Sequence, residues 1–353
     1  MELNAHARVM STVQQAEALF RQQLEHCRKL SEQHPRDDVV SKALGSAENA
    51  MTQLKRCDLS ALLVSGPARE AFRNYTQSVL DSTYHQECRV VEGGFPDDVA
   101  KHEMSAIIDS ISGAVSLCGS VENVHPVLGT DQFECVNWRV GALLYMYVHE
   151  LMASEQRRQA ADNAFIKECC VLGVCHLALM LSSRAPLNPR EDFSSNDATL
   201  PQLLQEGLFS DIHMLALMYS GELCYWAWEI EGSELRTREK VAQTGVDRGP
   251  KEEERERKTN SKTSSKCSDR LDFKTVETCG GGPLPAAMPL FSSLISQLKG
   301  RDYFVQYRRD FSAVDIGQSL LKKYIKLAQG PLKSQNWNYA RAVELVVQLK
   351  RGC

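Results

Sequence analysis

One long apolar stretch, residues 207–226, sets the strongest limit on how this chain can fold. It reads GLFSDIHMLALMYSGELCYW, and its apolar side chains recur at the three- and four-residue spacing of a helix. Ser210 is a suitable N-cap, and Asp211 places a negative charge in the first turn. Because apolar residues extend almost all the way round, we expect this helix to be buried at the centre of a domain. Its main stripe consists of Ile212, Leu215, Ala216, Tyr219, Leu223 and Trp226.

The rest of the chain also carries helical patterns, separated by proline and glycine. Breaks occur at Pro35, at Gly93, Gly94 and Pro96, and in a loop from His125 to Gly129, after which Thr130 is expected to cap a long helix. No segment alternates with period two, and no unit recurs at a fixed length. The fold class is therefore all-α, a multi-helix bundle with a disordered charged insertion before the C-terminal helices. The patterns predict helices over residues 9–30, 37–54, 67–84, 99–115, 130–151, 163–181, 315–328 and 338–349.

Composition excludes several classes of protein. The 353 residues carry a formal net charge of −4, which gives no general case for binding nucleic acid or an anionic membrane. The 12 cysteines are scattered without paired spacing and no signal core precedes them, so we expect reduced thiols in the cytosol. The longest apolar run, Cys169 to Leu181, is too short to span a bilayer. Any membrane contact should be indirect or peripheral.

A charged segment divides the predicted bundle from the C-terminal helices. Residues 231–270 contain no aromatic residue and include the run KEEERERK, so we expect this segment to be solvated and flexible, with a short charged helix as the alternative. Residues 272–277 resemble residues 310–315, which indicates that the stretch between them is inserted outside the compact core. The expected organisation is a helical bundle over 1–230, a flexible insertion over 231–309, and C-terminal helices over 310–353 that pack on the bundle.

No motif for catalysis or cofactor binding is present in the sequence. His149-Glu150 resembles half of a zinc-protease motif, but Ala153 stands where the second histidine would be. Cys169, Cys170, Cys175 and His176 share one segment and could hold a metal or support redox chemistry. Small buried thiols in a core helix explain this cluster better. We therefore expect no enzyme, no cofactor and no metal.

Two charged residues are the candidates for partner binding. Arg139 and Asp211 lie in apolar helical segments and are the ones we select as possible surface contacts. Seven aromatic residues could supply binding anchors, although most are expected in the core. They are Trp138, Tyr145, Tyr147, Tyr225, Trp226, Trp228 and Trp337.

Three segments resemble the signature blocks of one small family. They are CVNWRVGALLYMYVHEL over 135–151, FSDIHMLALMYSGELCYW over 209–226, and LLKKYIKLAQGPLKSQNWN over 320–338. In this order they are similar to the RIMOC family, the Rab-interacting subunits of the Mon–Ccz complex. The likeness is weaker over Asn4 to Val124 and does not extend over about Glu231 to Arg309.

The resemblance implies a non-enzymatic adaptor. Its partners would be the Mon–Ccz exchange complex and a late-endosomal Rab GTPase, favoured in its GDP-bound form. Its role would be to support Rab stability and recruitment in endosomal traffic, autophagy and mitophagy. The protein would be cytosolic and recruited to damaged mitochondria or late endosomes. Two alternatives stay open: a metal- or redox-active protein built on the cysteine cluster, and a structural helical subunit without direct Rab contact.

Overall fold

The chain is described by a computed structural model that covers residues 2–56, 66–97, 99–118, 121–183, 211–245 and 312–351. These residues form eleven α-helices and one short 3-10 helix, and no β-strand occurs among them, which confirms the all-α class. The helices are α1 (Glu2–Gln33), α2 (Asp38–Arg56), α3 (Gly66–Glu92), α4 (Ala100–Ser116), α5 (Val121–Leu128), α6 (Thr130–Ala153), α7 (Glu155–Ala160), α8 (Asn163–Ser182), α9 (Asp211–Gly245), α10 (Ala313–Gln329) and α11 (Ala340–Arg351), with the 3-10 turn at Lys333–Gln335.

The chain divides into two compact units. The first contains Met1–Ile230 and Phe291–Cys353, and the second contains Glu231–Leu290. The described part of the second unit is helical, because α9 runs to Gly245. The first fifteen residues of the charged segment therefore continue α9, and the rest of that segment, on which the choice between a flexible stretch and a short charged helix depends, lies outside the described residues. Residues 246–311, which include the first copy of the duplicated motif at 272–277, lie outside the described residues.

Helices α1, α2 and α4 pack against α3, and an aromatic cluster holds α1 on α3. The ring of Phe20 stacks on Tyr75, with centroids 4.3 Å apart, and meets Phe72 edge-on at 5.8 Å. All three side chains are buried. Such aromatic contacts add about 0.5–1.5 kcal/mol to the free energy gained by burying area. The apolar face of α1 is thus covered by α3 at Phe20 and by α2 at Cys27, which packs with Ala43 and Ala47.

Helices α6, α8 and α9 form the apolar centre through two close approaches at glycine. A Cβ at Gly141 of α6 would meet Leu177 of α8 at 2.6 Å, and one at Gly173 of α8 would meet Leu223 of α9 at 2.7 Å. These glycines let larger side chains fill the space that a Cβ would occupy. Helix α8 is long and apolar enough to cross a membrane by length and composition, yet 78% of its most apolar window is buried inside the protein.

The C-terminal helices pack on α9. Leu321 of α10 fills the space beside Gly221, and Gly317 of α10 lies against Cys224. Helix α11 returns antiparallel to α10, since Leu349 reaches Gly317. We call α10, α11 and the turn between them the C-terminal hairpin.

Two sequence expectations about turns need correction. Thr130 does not cap α6: it is the first helical residue, the cap position is Gly129 at φ 79°, and no side chain caps this end. The segment from His125 to Gly129 is not wholly a loop, because α5 includes Pro126. Pro126 is the sixth residue of this eight-residue helix, so α5 lacks the backbone hydrogen bond that an N–H at this position would donate.

Candidate interaction surfaces

Arg139, the first partner-binding candidate, lies in the seam between α3 and α6. Its side chain is only 10% exposed, and its Nε donates to Oε2 of Glu87 at 2.6 Å. Its Nη1 donates to the backbone carbonyl of Leu80 at 2.9 Å. Burial raises the pKa of Glu87, while the neighbouring guanidinium lowers it. A role for Arg139 in partner binding stays a prediction, and a charge reversal there would first disturb the α3–α6 contact.

An exposed tyrosine covers this buried pair. Tyr84 of α3 is 45% exposed, and the guanidinium carbon of Arg139 lies 5.2 Å from its ring centroid. Its hydroxyl bonds Cys88, which is the main reason that the pKa of Tyr84 is raised. Tyrosine and arginine are among the residue types that dominate binding hot spots, and here they lie next to each other on helices. Sequence reasoning missed Tyr84 because it occurs among the apolar residues of the α3 stripe.

Asp211, the second candidate, is exposed at the first position of α9. A carboxylate there interacts favourably with the helix N-terminus, and it is available to a partner without unfolding. Ile212 and Leu215, further along the same helix, are half-buried rather than fully buried. This corrects the expectation that the whole apolar stripe of α9 is core. The proposed cap Ser210 lies outside the described residues.

A ladder of aromatic rings joins α6 to α9. Tyr145 stacks on Tyr219 with ring centroids 3.6 Å apart, and Trp138 also stacks on Tyr219 with ring centroids 5.8 Å apart. Trp226 lies 5.7 Å from Tyr145. Of the seven aromatic residues selected from the sequence, Tyr145, Tyr147 and Trp226 are buried, whereas Trp138, Tyr225, Trp228 and Trp337 are half-buried.

A buried carboxylate connects this ladder to the C-terminal hairpin. The hydroxyl of Tyr145 donates to Oε2 of Glu222 at 2.5 Å, and Nε of Arg341 lies 3.6 Å from Oε1. Burial is the main reason that the pKa of Tyr145 is raised, and the Glu222 carboxylate raises it further. Arg341 also lies 5.8 Å from the ring of Tyr225. This contact fixes one flank of α11 against α9.

The cysteine cluster is buried inside the protein. His176 directs Nδ1 at Oδ1 of Asn137 on α6, 3.0 Å away, while Cys169 interacts electrostatically with Tyr147. Cys169 also interacts with Cys170, and Cys170 and Cys175 interact with Cys224 of α9. Burial raises the thiol pKa of Cys169 and lowers the pKa of His176 to about 4. Among the described residues, no group of three or more histidine, cysteine or acidic side chains could hold a metal ion.

Comparison with known proteins identifies one family. The family model described as "RIMC1: RAB7A-interacting MON1-CCZ1 complex subunit 1" matches residues 46–284. The match continues past Glu231, so the expectation that the resemblance stops there is wrong as far as residue 284.

Relatives of the same description align over nearly the whole chain. The human protein named RAB7A-interacting MON1-CCZ1 complex subunit 1 is 30% identical, over 98% of this chain and 99% of its own length. The mouse protein is 28% identical over the same shares, and the zebrafish protein is 28% identical over 91% of each chain. No solved structure matches this chain.

Proposed function

Because this chain belongs to the family of RAB7A-interacting MON1-CCZ1 complex subunits, we propose that it is an adaptor that binds a late-endosomal Rab GTPase and the Mon–Ccz complex. The family is one of Rab-interacting complex subunits, not of enzymes. The observation that carries the proposal is the family match over residues 46–284, together with 30% identity to the human relative over nearly the full length of both chains.

The physical character of the described body supports an adaptor. Buried charged groups of this body are engaged inside it, in the contacts of Arg139 with Glu87 and of Tyr145 with Glu222. Exposed Tyr84 and Asp211 stand on rigid helices, where they need little ordering to meet a partner. A small number of such anchors supplies most of the free energy of a protein–protein contact.

The mechanism would be differential affinity for the nucleotide states of the Rab. An adaptor that binds the GDP-bound form more tightly raises the population of that form and protects it. Holding the GDP-bound Rab beside the Mon–Ccz complex would raise its local concentration at the site of exchange. We propose that this supports Rab stability and recruitment in late-endosomal traffic and in mitophagy, from a cytosolic pool drawn to late endosomes or damaged mitochondria.

The first experiment is direct binding of purified RAB7A to the full chain, without MON1–CCZ1. RAB7A is loaded with GDP or with a non-hydrolysable GTP analogue, and affinity is measured by calorimetry. We expect binding to both preparations, with the GDP form bound at least several-fold more tightly. No binding to either form would leave a structural subunit without direct Rab contact, and equal affinity would remove the nucleotide preference.

A matched pair of charge reversals tests the surface at the start of α9. Asp211→Lys changes an exposed acidic residue in the first turn of α9, and Asp315→Lys changes an exposed acidic residue in the first turn of α10. Each variant loses a similar interaction with its helix N-terminus, so their effects on folding should match. We expect Asp211→Lys alone to weaken capture of RAB7A or MON1–CCZ1. Equal capture by both variants would remove Asp211 from the interface.

A further inference from the structure

Helix α11 has a row of apolar side chains that the other described helices leave partly exposed. Tyr339, Val343 and Val347 are 38%, 41% and 42% exposed, and they follow one another at four-residue spacing. The backbone N–H of Val343 donates to the carbonyl of Tyr339 at 3.0 Å, so Tyr339 continues the helical geometry. Lys350 follows Val347 by three residues, and this spacing places all four side chains on one strip of the helix.

This strip is separate from both surfaces by which α11 is held. Leu345 and Leu349 are fully buried and form the inner face of the helix. Arg341, on the opposite flank, contacts Glu222 of α9 and Glu344 of its own helix. The outer strip is therefore not needed to close the core, and burying it requires something outside the described body.

The C-terminal hairpin that carries the strip has an excess of positive charge. Residues 312–351 contain seven lysine and arginine residues but only two acidic ones, within a chain whose formal net charge is −4. Six of the seven are exposed, and Lys323 is the buried exception. The exposed ones are Lys322, Lys326, Lys333, Arg341, Lys350 and Arg351.

We propose that the C-terminal hairpin is a peripheral membrane-binding element, with the row Tyr339, Val343 and Val347 lying at the surface of an anionic bilayer. Interfacial helices combine such an apolar strip with flanking cations. The valines would enter the boundary between headgroups and acyl chains, and the tyrosine ring would sit at headgroup level. The exposed lysine side chains and Arg351 would meet anionic headgroups while their stems cover apolar surface, whereas Arg341 stays paired with Glu222 and Glu344.

Two observations favour a lipid surface over another polyanion or an acidic protein. Nucleic acid offers no partner for an exposed row of valines, since its outer surface is phosphate and sugar. The exposed cations are spread over α10, the turn and α11 rather than gathered beside one pocket. Such a spread suits an extended, diffuse layer of charge, whereas a protein partner would require charges matched at fixed positions.

The test is flotation of the purified full chain with lipid vesicles, so it requires no Rab or MON1–CCZ1 and is independent of the proposed function. We expect binding to phosphatidylcholine vesicles that contain phosphatidylserine, and little binding to phosphatidylcholine alone. Raising the salt from about 0.1 M to about 0.5 M should weaken binding, because the attraction to headgroups is screened. No binding to anionic vesicles at the lower salt would overturn the proposal.

Three double variants separate the strip from general charge effects. Lys350→Ala/Arg351→Ala should lower the vesicle partition coefficient about tenfold. Val343→Gln/Val347→Gln should also lower it while leaving the charge unchanged. Lys55→Ala/Arg56→Ala is the matched control, because it removes the basic pair from the last turn of α2, which is equally exposed. Melting temperatures verify that each variant is folded.

Each outcome decides the assignment. Loss of vesicle binding in both hairpin variants, with the α2 control unchanged, supports it. Equal loss in the α2 control would show that only net charge matters and would overturn it. If both hairpin variants keep vesicle binding but lose capture of MON1–CCZ1, the strip is a protein-binding surface and the membrane proposal is wrong.

Discussion

The α3–α6 seam and the α9–α11 seam contain the same three residue types in different surroundings. In the first, the side chains of Arg139 and Glu87 are 10% and 9% exposed. In the second, Arg341 is 43% exposed while Glu222 is 11% exposed. A tyrosine ring lies beside each guanidinium, at 5.2 Å and 5.8 Å.

This difference in burial decides what each contact contributes. Removing one member of a buried ion pair leaves the other charge without compensation in a low-dielectric interior. A half-exposed pair is screened by water, and its members are easily solvated when separated. The α3–α6 seam should therefore depend on its ion pair, whereas the C-terminal hairpin should depend on apolar packing. Because the apolar packing of the hairpin uses the inner face of α11, the outer strip of α11 is available for another role.

The largest expected effect is that of Arg139→Ala. It should lower the free energy of unfolding by about 3–5 kcal/mol, because Glu87 stays buried without its partner. Urea denaturation followed by circular dichroism measures the loss. The double variant Arg139→Met/Glu87→Leu should regain most of the stability. A loss below about 1 kcal/mol for Arg139→Ala would contradict the importance of this pair.

The second effect is a pH dependence of the free energy of unfolding, caused by the buried side chain of His176. The pKa of His176 is lowered from 6.5 to about 4 by burial, so the unfolded chain takes up this proton at a higher pH than the folded one. The contribution of the neutral His176 ring to the free energy of unfolding is fully present above pH 6.5, and it declines as the pH falls toward 4. The loss near the lower end is on the order of 3 kcal/mol.

Denaturation at a series of pH values compares the wild type with His176→Gln. The variant has no titrating ring, so its stability should fall less steeply over the same window. It also loses a contact with Asn137, which shifts the whole curve but not its slope. Parallel curves for the two proteins would show that His176 is not the source of the dependence.

A third effect tests packing between α9 and the hairpin. Gly221→Ala should cost about 1–3 kcal/mol, because the added Cβ would stand 2.3 Å from Leu321 unless the helices shift. Gly113→Ala in α4 is the control, since nothing lies within 4 Å of the added atom. That control should stabilise the protein by about 0.5–1 kcal/mol. Thermal melts distinguish the two, and equal melting temperatures would argue against tight packing at Gly221.

The smallest effect is that of Arg341→Ala. It should change the free energy of unfolding by only about 0–1 kcal/mol, since the side chain is half-exposed. Glu222 keeps its hydrogen bond from Tyr145 in the variant. Chemical denaturation of both variants, Arg341→Ala and Arg139→Ala, compares their losses in the free energy of unfolding directly. A loss as large as that of Arg139→Ala would remove the distinction between the two seams.

The sequence determined the helical class, several helix boundaries and the family. Apolar spacing located α6, α8 and α9, because residues three and four positions apart in sequence lie on the same face of a helix. Proline and glycine marked the breaks after Gln33 and Glu92, since they restrict or free the backbone locally. The family blocks were recognisable because they are contiguous segments.

Only the tertiary structure decided which faces of those helices are covered. Arg139 reads as a possible surface contact from its neighbours in sequence, yet Glu87, 52 residues away, holds it in a buried seam. Val343, Val347, Leu345 and Leu349 are equally apolar in the sequence, but the first two are exposed and the last two are buried. Burial depends on what other segments bring to each face, and a local pattern carries no information about those distant partners.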